Sequence, residues 1–125
     1  IVTLPQAVSV EDASRGMQMF QQLNIPILGV VENMSYLELP DGTRMDVFGE
    51  GGGKKMAEDS QVAFLGAIPM DPQVRIGGDN GAPVVVSQPD TAAAKALRSI
   101  AEQLAAQLSV QAIKNQAAPQ IEIIG

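Results

Sequence analysis

Residues 27–33 of this 125-residue chain read Ile27-Leu28-Gly29-Val30-Val31-Glu32-Asn33. An unbroken apolar run that ends at once in polar residues is typical of a strand buried on both faces. Such strands belong to parallel sheets, in which helices cover both sides. The stretch therefore predicts an α/β domain, with Asn33 at the carboxyl end of a central strand.

Two further apolar segments extend the predicted sheet. Residues 63–68 form a second strand that Pro69 stops, and residues 1–3 read as the tail of a strand that begins before Ile1, which suggests a truncated chain. Residues 36–48 hold two short extended pieces around Pro40-Asp41-Gly42, a sequence that predicts a hairpin. Another small extended piece is expected at 84–86.

Helical patterns separate these strands. The first helix is predicted to begin at Ser9, which forms a capping box with Asp12, and to end at Asn24. Short helices are expected at 54–59 and from Asp71 through Ile76, the second one ended by Gly77-Gly78.

The last helix has the clearest apolar stripe. It is predicted to be capped by Asp90 and to pack against the sheet through Leu97, Ile100, Leu104 and Leu108. Residues 1–114 then form one domain, and residues 115–125 form a tail in which 121–124 are either an edge strand or a loose end.

Composition excludes several classes of function. The formal net charge of −6 disfavours a free-standing nucleic-acid binder, which needs a basic surface. No apolar run approaches the roughly 18 residues that a membrane helix requires, and no signal peptide is visible. The chain has no cysteine and no histidine, which excludes thiolate metal sites, thiol nucleophiles and histidine bases, and leaves no predicted metal site.

The glycine-rich segment 49–53 does not match a phosphate-binding loop. The P-loop pattern requires glycine where Phe48 stands and a hydroxyl where Lys55 stands, and the dinucleotide pattern requires glycine at Lys54. The segment is interpreted as a loop whose backbone conformation glycine permits and which enters a helix, with weak anion affinity at the helix start as the alternative.

Polar side chains follow two of the predicted strands. Asn33 and Asp71 both lie where ligands gather in open parallel sheets, and an amide can read the edge of a nucleobase. From local sequence alone, Asn33 could instead cap a strand or turn, and Asp71 could simply cap the helix that follows it.

Several segments together resemble the Mrp/ApbC family. These are Val31–Tyr36, Asp46–Gly53 and Leu65–Pro72, and the resemblance covers roughly residues 1–110. The family consists of P-loop ATPases, related to MinD and ParA, that carry and assemble iron–sulfur clusters. The resemblance implies part of a doubly wound, mostly parallel sheet with flanking helices, without its amino-terminal half.

The resemblance also implies roles for particular residues. Asn33 matches the position expected to contact adenine, and Pro69 and Asp71 match the loop that borders the base from the other side. Pro5-Gln6, Asp12 and Arg15 match a segment near the nucleotide and the dimer face. The complete protein would be a slow, homodimeric ATPase that uses ATP and Mg²⁺ in the cytoplasm or plastid stroma and passes clusters to apo acceptor proteins.

Two departures from the family matter. The family's P-loop and magnesium-binding acidic residue lie upstream of the matching region, so this chain alone is not expected to hydrolyse ATP, and no catalytic residue is assigned to it. The interval 37–44 lacks the Cys-x-x-Cys that many members use to bind a cluster, so this chain cannot ligate one there. The alternatives are a ParA/MinD-like positioning ATPase and a non-catalytic interaction domain of the same fold.

Overall fold

The fold is described from a computed structural model, and the structure describes residues 1–117. Strands and helices alternate along most of the chain. Their order is β1 Val2–Thr3, α1 Ala7–Gln22, β2 Gly29–Glu32, β3 Leu37–Glu38, β4 Arg44–Met45, α2 Gly52–Asp59, β5 Ala63–Ala67, α3 Pro72–Asp79, α4 Val84–Ser87 and α5 Ala92–Ala117.

The main sheet is parallel, with strand order β1-β2-β5. Strand β2 is central, and all of its residues are buried, as its apolar run predicts. On one face of the sheet, Val30 packs with Met17 of α1 and Met56 of α2. On the other face, Val31 and Leu65 contact the last helix, α5. The predicted α/β fold, with helices on both sides of a parallel sheet, is confirmed.

The predicted hairpin is also present, as the antiparallel pair β3–β4. Its turn is closed by hydrogen bonds between Leu39 and Thr43 and between Leu39 and Gly42, and Gly42 adopts a φ of 84°. The Asp41 carboxylate accepts a hydrogen bond of 2.9 Å from the Thr43 N–H. This bond lowers the pKa of Asp41.

The capping box at Ser9 was predicted wrongly, because α1 begins earlier, at Ala7. The Ser9 hydroxyl instead accepts a hydrogen bond of 3.0 Å from the Leu4 N–H and lies 3.0 Å from the Thr3 hydroxyl. Ser9 thus fastens the first turn of the helix to the end of β1. The Ser9 side chain therefore bonds to the preceding strand and does not cap the helix.

The predicted end of α3 at Gly77-Gly78 was also wrong, since the helix continues through Asp79. An ion pair of 2.7 Å between Arg75 and Asp79, one turn apart, supports its last turn. Gly77 meets a packing requirement: a Cβ there would lie 2.5 Å from the Ala82 carbonyl oxygen. The chain turns at Gly81, which has a φ of 69°.

Residues 84–86 are helical and not extended, because α4 occupies Val84–Ser87 after Pro83. Val84 is buried whereas Val86 is 77% exposed, so the apolar run predicted to be a strand forms one helical turn that packs through Val84. Thr91 caps α5 in place of Asp90: its hydroxyl accepts from the Ala94 N–H at 3.3 Å.

The apolar stripe of α5 packs against the sheet only in part. Leu97 and Ile100 contact the core, whereas Leu104 and Leu108 are 38% and 52% exposed. The helix runs past Lys114 to Ala117. The predicted strand or loose end at 121–124 lies outside the described residues.

Replacing Gly16 with alanine is expected to stabilise the chain by about 0.5–1 kcal/mol. Gly16 lies inside α1, and a Cβ there would meet no atom within 4 Å. Urea unfolding followed by circular dichroism measures the change. The Gly77→Ala variant is the matched control and should lose stability, because its methyl group would meet the Ala82 carbonyl. Equal effects of the two substitutions would contradict this packing account.

Candidate functional site

The candidate site lies at the carboxyl edge of the parallel sheet. Strands β2 and β5 are parallel neighbours, so the segments that follow them emerge side by side. Backbone hydrogen bonds join the two segments: the Ser35 N–H donates to the Ile68 carbonyl at 2.9 Å, and the Met70 N–H donates to the Tyr36 carbonyl at 2.7 Å. The two segments therefore form one continuous wall.

A cavity of about 440 Å³ opens on this wall. Asn33, Pro69 and Asp71 all line it, so the structure brings together the three residues that the sequence singled out. Helix α3 adds Val74 and Arg75. An apolar cavity with a few polar groups at its rim suits a flat, partly polar ligand such as a nucleobase.

Asn33 makes a local contact within this site. Its Oδ1 accepts a hydrogen bond of 2.9 Å from the N–H of Met34, which has a φ of 47°. The side-chain oxygen of Asn33 therefore caps a turn, which was one of the two roles predicted for this residue. That turn engages only the oxygen, so the amide nitrogen can donate to a ligand in the cavity.

Asp71 likewise has a structural task. It is the N-cap of α3, and its Oδ1 accepts a hydrogen bond of 2.8 Å from the Gln73 N–H, with Pro72 in the first turn. The capping interpretation is confirmed, and Asp71 is also one of the residues that line the cavity. Asp71 thereby fixes the start of the helix that carries Val74 into the site.

The sequence interpretation gave no role to Glu32. This residue ends β2 and is only 3% exposed. Its Oε1 accepts from the Ser35 hydroxyl at 2.5 Å, and its Oε2 accepts from the Gly53 N–H at 2.7 Å. The sequence does contain a signal for this role, which is an acidic residue at the end of an otherwise apolar strand. A carboxylate that is buried in such a strand requires hydrogen-bond partners.

The glycine-rich segment is a loop that enters a helix, as predicted, but α2 begins at Gly52, two residues before the predicted start. Gly49 and Gly51 have φ values of 89° and 72°, and Gly51 is the N-cap of α2. At the start of this helix, the Gly53 N–H already donates a hydrogen bond to the Glu32 carboxylate, so this N–H is not free to bind another anion. Lys55 forms an exposed ion pair of 2.7 Å with Asp59, which raises the pKa of Lys55.

The residues of the first loop and helix lie apart from the cavity. Pro5 packs against the start of α2, where a Cβ on Gly52 would lie 2.3 Å from the Pro5 carbonyl oxygen. Arg15 pairs on the exposed surface of α1 with Glu11 at 2.6 Å and with Asp12 at 3.9 Å. The structure does not bring Asp12 or Arg15 to the cavity that Asn33 lines.

Within residues 1–117, no group of three or more aspartate, glutamate, histidine or cysteine residues could hold a metal ion. No helix in the same range is both long and apolar enough to cross a membrane.

A parallel sheet covered by helices on both faces, with a cavity at the carboxyl ends of its strands, is an architecture in which α/β proteins bind ligands. Over residues 1–105 the chain matches a ParA-type family described as NUBPL iron-transfer P-loop NTPases. The chain belongs to this family, and the resemblance to Mrp/ApbC proteins is confirmed.

Curated relatives agree with this assignment. The chain is 51% identical over 116 residues to an iron–sulfur cluster carrier protein of Synechocystis, and 48% identical over 114 residues to one of Deinococcus radiodurans. Each alignment covers 90% of this chain but only 33% and 32% of the respective relative. The chain thus spans about a third of the length of these relatives.

Solved structures show the same fold. The cell division ATPase MinD of Pyrococcus furiosus superposes with a TM-score of 0.65 at 25% identity, over 83% of this chain and 40% of that one. A nucleotide-binding protein of Archaeoglobus fulgidus in complex with ADP gives a TM-score of 0.53 at 33% identity, over 70% of this chain and 35% of that one.

Proposed function

We propose that this chain is the adenine-binding part of an ATP-dependent iron–sulfur cluster carrier. The observation that carries the proposal is the cavity that joins Asn33 to Pro69 and Asp71, in a chain about half identical to iron–sulfur cluster carrier proteins. The Archaeoglobus fulgidus relative, which is in complex with ADP, supports a nucleotide as the ligand.

The residues at the cavity fit a purine base. Pro69 and Val74 offer apolar surface to a ring, and the Asn33 amide group can donate a hydrogen bond to the ring edge. Asp71 borders the cavity and holds the start of α3 in place.

The charged end of ATP needs groups that this sequence does not provide. The P-loop pattern fails at Phe48 and Lys55, so we assign the phosphates and Mg²⁺ to other parts of the full-length protein. The chain has no cysteine, so the cluster, which is cargo, is also ligated elsewhere. The complete protein would hydrolyse ATP slowly and would form a homodimer. It would act in the cytoplasm or plastid stroma and would transfer its cluster to apo acceptor proteins.

Replacing Asn33 with alanine in the full-length protein is expected to weaken ATP binding about tenfold and to reduce the preference for ATP over GTP. The variant loses a side chain that reads the edge of the base. Isothermal titration calorimetry with each nucleotide measures both quantities. Asn115→Ala, which changes an exposed asparagine of α5, is the matched control. Unchanged affinity and preference in Asn33→Ala would remove this residue from the site.

A positioning ATPase is the second candidate, because the fold superposes on MinD. The identity of 51% to a cluster carrier, against 25% to MinD, favours the carrier. Anaerobic reconstitution of the full-length protein, followed by iron quantitation and cluster transfer to an apo acceptor, separates the two. A protein that binds no cluster under these conditions would be a positioning ATPase or a non-catalytic interaction domain.

A further inference from the structure

We infer that Glu32 is a positioning residue that holds the segment carrying Asn33 in place for base recognition. The effect on nucleotide binding rests on the function proposed above, whereas the anchoring itself is read from the contacts of this chain. Glu32 is one residue away from Asn33, and its side chain is buried beneath the site and does not line the cavity.

The burial of Glu32 requires compensation. A carboxylate that is 3% exposed is costly unless its oxygens are hydrogen-bonded. Among residues 1–117, none of the lysine or arginine ion pairs involves Glu32. Its compensation comes from the Ser35 hydroxyl and the Gly53 N–H, and the latter belongs to the positive end of α2.

The first of these bonds closes a turn around Asn33. Glu32 and Ser35 bracket Asn33 and Met34, and the bond between their side chains is 2.5 Å long. Met34 adopts a φ of 47°, a conformation that non-glycine residues rarely keep unless neighbouring contacts impose it. The bond from Ser35 to Glu32 supplies such a contact and thereby sets the direction of the Asn33 side chain.

The second bond ties this turn to the glycine-rich loop. The N–H of Gly53 lies 21 positions along the chain from Glu32 and donates to its Oε2 at 2.7 Å. The approach is close, since a Cβ on Gly53 would lie 3.0 Å from that oxygen and 3.2 Å from Thr3 Cγ2. One carboxylate therefore holds both ends of the excursion that contains the hairpin β3–β4, at Ser35 and at Gly53.

Three variants of the full-length protein test the inference. Glu32→Ala removes both hydrogen bonds, and Ser35→Ala removes one of them while leaving the carboxylate on Gly53. Glu32→Gln keeps both links, because its carbonyl can accept from Gly53 while its amide donates to the Ser35 oxygen. Glu58→Ala, an exposed glutamate of α2, is the matched control.

Two measurements are made on each variant. Amide hydrogen exchange in the absence of nucleotide should be about tenfold faster at positions 35 and 53 in Glu32→Ala, at position 35 alone in Ser35→Ala, and close to wild type at both in Glu32→Gln. The ratio of ATP to GTP affinity, measured by calorimetry, should fall about threefold or more in the alanine variants and be restored in Glu32→Gln. A merely structural role would leave this ratio unchanged.

The outcomes separate the two proposals. Unchanged exchange at position 35 in both alanine variants, or at Gly53 in Glu32→Ala, would overturn the anchoring role. Faster exchange with an unchanged nucleotide ratio would overturn the role in base recognition. A wild-type protein that binds neither nucleotide would refute the proposed function, while the exchange data would still decide whether Glu32 anchors the turn. If Glu32→Ala does not fold, Ser35→Ala carries both measurements, since it deletes one hydroxyl group.

Discussion

Replacing Gly29 with alanine is expected to destabilise the chain by about 3 kcal/mol, a large share of the 5–15 kcal/mol typical of folded domains. Gly29 is buried at the start of β2. A Cβ there would lie 2.6 Å from the Ala63 carbonyl oxygen and 2.6 Å from Leu65 Cγ, both on the neighbouring strand β5. Because one of these atoms is backbone in the paired strand, the clash cannot be relieved by a rotamer change alone.

The expected result is a large shift in the urea midpoint of Gly29→Ala, followed by circular dichroism. A double-mutant cycle with Leu65→Gly tests which contact dominates. Leu65→Gly costs stability by itself, but it removes the Leu65 side chain and leaves the Ala63 oxygen, so adding Gly29→Ala should cost less in that background than in wild type without becoming neutral. A Gly29→Ala variant within about 0.5 kcal/mol of wild type would show that β2 and β5 can separate without cost.

The central sheet could be predicted from sequence because its signal is local. The apolar run that ends at Val31 has no polar face, and only a sheet covered on both sides buries such a strand. The same logic placed Asn33 and Asp71 at one edge, because parallel strands end together. Topology, more than any motif, brought these residues to a common cavity.

The errors occurred where tertiary contacts decide between two local options. Ser9 has the chemistry of a helix cap, but its hydroxyl bonds to Thr3 and Leu4 at the end of β1. Gly77 reads as a helix stop, yet its missing side chain makes room for the Ala82 carbonyl. Residues 84–86 have strand propensity, but packing places Val84 in a helical turn. In each case a contact made only in the folded chain decides the outcome, and the local residue pattern does not specify that contact.

Glu32 shows the same limit within the site. Its residue type at the end of a buried strand signals a special environment, but its partners are three and 21 positions away. Asn33 and Asp71 illustrate a different limit. For each, the sequence offered a local structural task and a ligand-binding role as alternatives, and the structure shows the local task performed by a residue that lines the cavity.

Replacing Val74 with tryptophan in the full-length protein is expected to weaken ATP binding roughly 100-fold while leaving the fold intact. Val74 is half-buried on α3 and lines the cavity, so an indole ring there would occupy the space assigned to the base. Excluding about 120 Å² of ring surface at ~25 cal/mol/Å² removes about 3 kcal/mol of binding free energy, which gives this factor. Calorimetry with ATP measures the loss.

The neighbouring substitution Gln73→Trp is the matched control. Gln73 is exposed on the same helix and is not among the residues lining the cavity, so this substitution adds the same ring without filling the site.

Competition with Mg²⁺–tripolyphosphate, which has no base, tests the phosphate part of the ligand separately. The Val74→Trp variant should bind tripolyphosphate as tightly as wild type if the phosphates are held by another part of the protein. Loss of both ligands would indicate a damaged fold, and retention of ATP affinity would mean that the base binds outside this cavity. If this chain recognises adenine and the rest of the protein binds the phosphates, Val74→Trp should lose affinity for ATP and keep its affinity for tripolyphosphate.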